Sequence, residues 1–290
     1  MKKVLPFLAA LAMPLPAAGD LFAPGSKWDV VTDGHRFAEG MAFDFDGHFL
    51  FTDVPNNQLF RIDGMSGKKS LVDGASGRAN GIIFGPEGAL YGCSSGDEAI
   101  YAWDPATWKK KAVTRGTASN DIAVLEDGTL YYTDPKARTV WRVSPAPDRK
   151  REAAAVLGWG PNGIGAGPDG ETLYVAEFAS ARVHGFPIKP DRTLGTPAVI
   201  YTLKVPQDGS GKLDGLEVLP GGRLLIGTAL GIQMAHPDSE KVAPQVIPSP
   251  GGRPRCNYVR LTPDGLYLYA AFGKDILRRK VNAAALFPGE

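Results

Sequence analysis

Six polar residues stand at the head of the same short phrase along this chain: Glu39, Asn80, Asn120, Asn162, Asp214 and Asn257. Two are acids and four are carboxamides, a set of hard donors with no histidine or thiol among them. If the fold gathers them, two carboxylates in a confined space repel each other and lose hydration, an arrangement that is costly unless a cation neutralises it. A divalent ion balances Glu39 plus Asp214. Oxygen ligands of this kind favour calcium or magnesium over zinc, and calcium suits flexible carboxylate and carboxamide oxygens best. The competing reading takes each Asn-Gly or Asp-Gly pair as an ordinary turn dipeptide. That suits any single copy, but it explains neither six polar heads nor the restriction of acids to two of them.

The elements that must position these residues follow from the repeat. The phrase is a polar residue, alternating apolar positions, an acidic or Pro-containing turn with Gly, then an apolar strand; its copies are EGMAFDFDG, NGIIFGPEG, NDIAVLEDG, NGIGAGPDG, DGLEVLPGG and NYVRLTPDG. Successive heads lie 41, 40, 42, 52 and 43 residues apart. A period in the low forties with several short strands per unit is the signature of propeller blades. The expected fold is all-β, a six-bladed β-propeller filling residues 20–290, and the heads of its inner strands face one channel. The last unit runs out before a fourth strand, and residues 28–31 read as the missing one, closing the ring and removing two exposed edges.

The 36 Gly and 24 Pro suit a chain that turns every ten residues or so, and no stretch sustains a helical period. A net charge of +1 gives no electrostatic argument for nucleic acid or an anionic membrane as partner. Residues 1–19 read as a cleaved signal peptide: Lys2 and Lys3 ahead of an apolar run, then Ala17-Ala18-Gly19. The run is too short for a permanent bilayer span, so the expected location is periplasmic or secreted, with no membrane partner after cleavage. Cys93 and Cys256 fall in blades too far apart for a disulfide and are expected as buried small hydrophobes.

As a set, Glu39-Gly40, SNDIAV with DGTLYYTDP at 119–135, PNGIGAGPDGETLYVAE at 161–177 and LDGLEVLPGGRLLIG at 213–227 resemble the senescence marker protein/gluconolactonase family of six-bladed propellers. The resemblance implies hydrolysis of a sugar lactone such as gluconolactone, and a calcium ion on Glu39, Asn162 and Asp214. It places Asn120 at the same site, as ligand or as substrate contact. Another divalent cation, Mg2+, Mn2+ or Zn2+, stays open as the occupant. Some sugar-lactone hydrolases of the family carry an Arg two residues before the Asn matching Asn120, where this chain has Ala118. Arg78 stands two before Asn80 and is the basic residue expected to reach the cavity instead. None of His35, His48, His184 and His236 shares a position with the ring, so each is expected in a structural or surface role.

The chemistry expected of such a site is an electrophile that polarises the lactone carbonyl and a carboxylate, Asp214 or Glu39, that takes a proton from water. Family analogy favours Asp214. Asn80, Asn120, Arg78 and Glu177 are the candidate substrate contacts. The acids ending second strands, Asp53, Asp134 and Glu177, have two readings that stay open: hydroxyl-binding groups, or caps on backbone donors. An ester or organophosphate hydrolase on the same metal, and a non-enzymatic binding propeller with structural calcium, are the alternative functions.

Overall fold

The computed structural model describes residues 21–237, 242–282 and 286; the leader expected over residues 1–19 lies outside them. Alternation of apolar and polar side chains puts one residue in two on each face of a strand, and both faces of these strands are apolar because each sheet is flanked by two others. The result is six four-stranded antiparallel sheets among the described residues. The first blade runs from the axis outward as Ala38–Phe43, Phe49–Asp53, Gln58–Ile62 and Lys69–Asp73. The next four blades have Ala79–Phe84, Ile122–Val124, Pro161–Ala166 and Leu216–Val218 as inner strands. The six-bladed propeller read from the repeat is the fold observed, and no helix among the described residues is long and apolar enough to cross a membrane.

The sixth blade is built from both ends of the chain. Tyr258–Leu261, Tyr267–Phe272 and Asp275–Lys280 supply three strands, and Asp29–Thr32 is the fourth, one residue later than the sequence suggested. Asp29 lies opposite Arg278 and Val30 opposite Leu277. Trp28 packs edge-on against both Phe22 and Phe272, anchoring this strand to the blade it completes.

The hydrophobic core lies between blades. Leu50 and Leu59 of the first blade meet Ile82, Leu90 and Trp103 of the second in one fully buried cluster. Trp103 donates its indole N–H to Asp73 at 2.8 Å, so the seam also carries a satisfied polar contact. Cys93 and Cys256 are free and buried in different clusters. Desolvation pushes both thiols up, which keeps them protonated and inert.

The Gly that follows four of the six polar heads does not make a turn. In the first, second and fourth blades the dipeptides Glu39-Gly40, Asn80-Gly81 and Asn162-Gly163 fall where the pairing of inner and second strands slips by one residue. They are bulges, which re-aim a side chain without ending the strand. The Gly is required because the next blade comes within touching distance. A Cβ on Gly40 would collide with the Asn80 carbonyl, one on Gly163 with the Asp214 carbonyl, and one on Gly215 with the Tyr258 ring. Gly163→Ala is therefore expected to cost about 1–3 kcal/mol, the usual range for overpacking, with the site residues unchanged. Urea unfolding of the variant beside the wild type measures it, and equal midpoints would show that the blades can part at no cost.

Candidate metal and substrate site

The six heads are linked round the axis in an unbroken circle. Thr52 donates its hydroxyl to the Asn80 carbonyl (3.1 Å), and the Gly81 amide donates to the Asn120 carbonyl (2.9 Å). Thr133 donates to the Asn162 carbonyl (2.7 Å), and Gly163 abuts the Asp214 carbonyl. The Gly215 amide donates to the Asn257 carbonyl (3.1 Å), and Asn257 Nδ2 closes the circle on the Ala38 carbonyl (2.7 Å). One end of the channel thus carries all six residues singled out in the sequence.

Their side chains are not equivalent. Asn257 is fully buried, with its Oδ1 accepting the Gly273 amide at 2.8 Å and its Nδ2 spent on Ala38, so it is a latch between the last and first blades. Glu39, Asn162 and Asp214 are 5, 8 and 2 % exposed. Asn162 Oδ1 and Asp214 Oδ1 are buried without any hydrogen-bond partner. Orphaned buried acceptors are rare, and two at one narrow mouth are what a cation would satisfy. Burial, then the nearby charges of Asp214 and Asp121, push the Glu39 carboxyl well above its ordinary range, with Arg255 opposing. Burial also raises Asp214, against the guanidinium of Arg255. Two acids and carboxamide oxygens fit a hard divalent ion; among the described residues no three His, Cys, Asp or Glu side chains gather as a metal site, so the amides are needed to complete the set. Asn80 and Asn120, heads of the second and third inner strands, are each partly exposed and make no side-chain hydrogen bond among the described residues.

Below the mouth the channel is plugged. Where four blades have Gly after the polar head, the third has Asp121 and the sixth has Tyr258, and these two blades face each other. Tyr258 reaches across the axis and donates its hydroxyl to Asp121 Oδ1 at 3.1 Å. The Ile122 amide at 2.9 Å and the Ile164 amide at 3.3 Å complete the carboxylate. Arg260 donates to the Tyr258 hydroxyl (3.3 Å), to Glu217 (2.6 Å) and to the Met41 carbonyl (3.0 Å). Burial pushes the Asp121 carboxyl up to about 6, against those amides and the Arg260 charge.

The second-strand acids are caps. Asp53 accepts the amides of Arg36 and Phe37 at 3.1 Å each, and Asp134 accepts those of Ala118 (3.2 Å) and Ala137 (2.9 Å). Each carboxylate thereby fixes the loop leading into an inner strand. Glu177 is held by both Nε and Nη2 of Arg182 at 3.0 Å and by His184 at 3.1 Å. Against the upward push of burial, these partners keep its carboxyl low, and the structure spends the group on this cluster, where Trp159 stacks on His184 at 4.3 Å. His35 is buried beside Thr32 and Phe51. Arg78 is exposed, its stem lying over Gly96 on the rim. The guanidinium that reaches the acids is that of Arg255, whose Nη1 is 2.5 Å from Asp214 Oδ2. Sequence reasoning missed it, although Arg255 stands two residues before Asn257, the offset that drew attention to Arg78.

Residues 37–271 match the family described as SMP-30/Gluconolactonase/LRE-like region. This chain belongs to that family. A gluconolactonase of Zymomonas mobilis is 24% identical over 252 residues, covering 73% of this chain and 70% of the relative. The solved structure of a gluconolactonase from Xanthomonas campestris superposes with a TM-score of 0.78 at 20% identity, over 90% of this chain and 91% of its own. Regucalcin from Agrobacterium tumefaciens, described as a calcium-binding protein, superposes with a TM-score of 0.72 at 18% identity, over 90% of this chain and 95% of its own.

Two outcomes follow from the geometry. Glu39→Gln removes one of the two acids and is expected to weaken the binding of a divalent cation, with calcium as the probe, by about tenfold or more in titration calorimetry; unchanged affinity would show that Glu39 holds no cation. Tyr258→Phe leaves Asp121 and Arg260 each short of one partner and is expected to cost about 1–3 kcal/mol of stability, read from chemical unfolding. A variant as stable as the wild type would mean that the plug contributes nothing.

Proposed function

We propose that this protein is a metal-dependent hydrolase of sugar lactones, with calcium as the resident ion and Glu39, Asn120, Asn162 and Asp214 as its ligands. What carries the reading is the pair of orphaned buried oxygens, Asn162 Oδ1 and Asp214 Oδ1, at the mouth where Glu39 also opens. Family membership and the gluconolactonase relative support the substrate class, and the calcium-binding neighbour supports the ion. The leader read in residues 1–19 supports action in the periplasm or outside the cell.

The bound ion would supply the positive charge that polarises the lactone carbonyl. The chain's own residues do the rest. Arg255 holds Asp214 Oδ2, and Oδ1, buried and without a hydrogen-bond partner, is the oxygen that would touch the ion with one lone pair and take a proton from an attacking water with the other. Asn80 offers its amide group to the ring hydroxyls, and Asn120, its oxygen turned to the ion, would offer them only its Nδ2 donors. The Tyr258–Asp121 plug closes the channel beneath, confining water and substrate to one end. Water adds to the carbonyl, the ring C–O bond breaks, and a hydroxy acid leaves.

Asp214→Asn keeps the size and one oxygen donor but loses charge and basicity. With metal occupancy verified, its turnover of gluconolactone is expected to fall by a factor on the order of 10²–10⁴. Wild-type turnover by the fully loaded variant would remove Asp214 from proton transfer. A panel of sugar lactones, aliphatic lactones and phosphotriesters, run with and without chelator, separates this activity from a broader esterase or a pure binding role.

A further inference from the structure

Arg255 is an odd residue to find beside a cation site. Its guanidinium contacts one of the two acids that would hold the ion, yet only Nη1 is engaged; Nε and Nη2 have no hydrogen-bond partner among the described residues. The side chain is 25% exposed, against 3% for Asp214, so the group spans from the buried acid to the open mouth. Phe178 lies beneath it, with the guanidinium carbon 5.7 Å from the ring centroid, which restrains the plane of the fork. A residue needed only to neutralise Asp214 has no reason to present its remaining donors to solvent at the substrate opening.

Charge bookkeeping at the mouth points the same way. In the upper layer Glu39 and Asp214 carry two negative charges and Arg255 one positive, while in the plug beneath Asp121 and Glu217 face the single charge of Arg260, so a divalent ion would leave the upper layer one positive charge in excess and the plug one negative. Lys212, two residues before Asp214 and exposed, adds a further cation at the matching place in the adjacent blade. The same offset carries Arg78 in the second blade and Ala118 in the third. Of the three cations at this offset, Arg255 is the one that pairs with an acid of the mouth. A planar fork that keeps N–H groups unused after pairing with Asp214 is suited to a bidentate oxyanion.

Resting on the lactonase reading above, we propose that the substrate is an anionic sugar lactone, bearing a carboxylate or a phosphate away from the ring carbonyl, and that Arg255 binds this second oxyanion and sets specificity for it. The reacting carbonyl lies at the ion, and the distant anion lies toward the sixth blade against Arg255.

The experiment compares kcat/KM of the calcium-loaded enzyme on glucono-δ-lactone, which is uncharged, glucaro-1,4-lactone, which carries a carboxylate, and 6-phosphoglucono-δ-lactone. At least one charged lactone is expected to exceed the neutral one by tenfold or more, and which one does so separates carboxylate from phosphate. Arg255→Gln is expected to reduce that ratio by about 10- to 100-fold, the scale of a charge-assisted pair, and Arg255→Lys to restore part of it. Arg253→Gln, which removes a neighbouring cation paired with Asp275, is expected to preserve it. Calorimetry with glucarate, 6-phosphogluconate and gluconate gives a readout without turnover: the extra anion should tighten binding in the wild type and not in Arg255→Gln. Equal kcat/KM for neutral and charged lactones, or a preference that survives Arg255→Gln, overturns the role of Arg255 and leaves lactone hydrolysis standing. No turnover of any of the three by the loaded wild type overturns the lactonase reading and this inference with it.

Discussion

Everything at the working end of this molecule depends on how closely six inner strands approach one axis. Four of them can come so near only because they carry no side chain where the next blade arrives, at Gly40, Gly81, Gly163 and Gly215. The same closeness confines two acids in a space they could not share in open water with so little exposure. A slightly wider ring would solvate Glu39 and Asp214 and leave them ordinary carboxylates. Backbone packing, not side-chain chemistry, is therefore what crowds these two acids together.

The two blades without that Gly show how the remaining space is used. Asp121 and Tyr258 meet across the centre, and Arg260 and Glu217 extend the contact downward into a connected polar network. Such a network is stabilising only when its members are satisfied. Here Asp121 has three donors, and Arg260 finds a carboxylate, a hydroxyl and a backbone carbonyl. The upper acids lack such company: Glu39 faces Asp214, and Asp214 keeps one oxygen orphaned. Within one channel the chain thus separates a satisfied polar layer from an unsatisfied one a single residue above it.

Much of this was legible in the sequence, because a propeller writes its symmetry into its period. The positions of the inner strands, the clasp by the N-terminal strand and the convergence of the six heads all follow from spacing and alternation. What spacing could not convey was how each polar group would be spent. Asn257 looks like the other heads, yet its amide is consumed by Ala38 and Gly273 because the seam between last and first blades needs a latch. Glu177 looked available until the fold brought Arg182 and His184 round a hairpin to it. Asp53 and Asp134 were evenly balanced between two uses, and the loops preceding the inner strands decided for capping. Arg255 was overlooked since its contact with Asp214 crosses from one blade to the next, a relation that no local motif encodes.

The blade assembled from both ends has a consequence for how the molecule comes into being. Asp29 pairs with Arg278, so the first strand made must wait for nearly the last. Until then the growing ring is an open crescent with two uncovered edges, and its inner heads, Glu39 among them, lack a neighbour on one side. The Asn257 latch onto Ala38 forms at that same late seam. The site is thus completed in the act that shuts the ring. A partly synthesised or truncated chain has neither closure nor the full circle of polar heads, and a sheet edge open to strangers is its hazard during biogenesis.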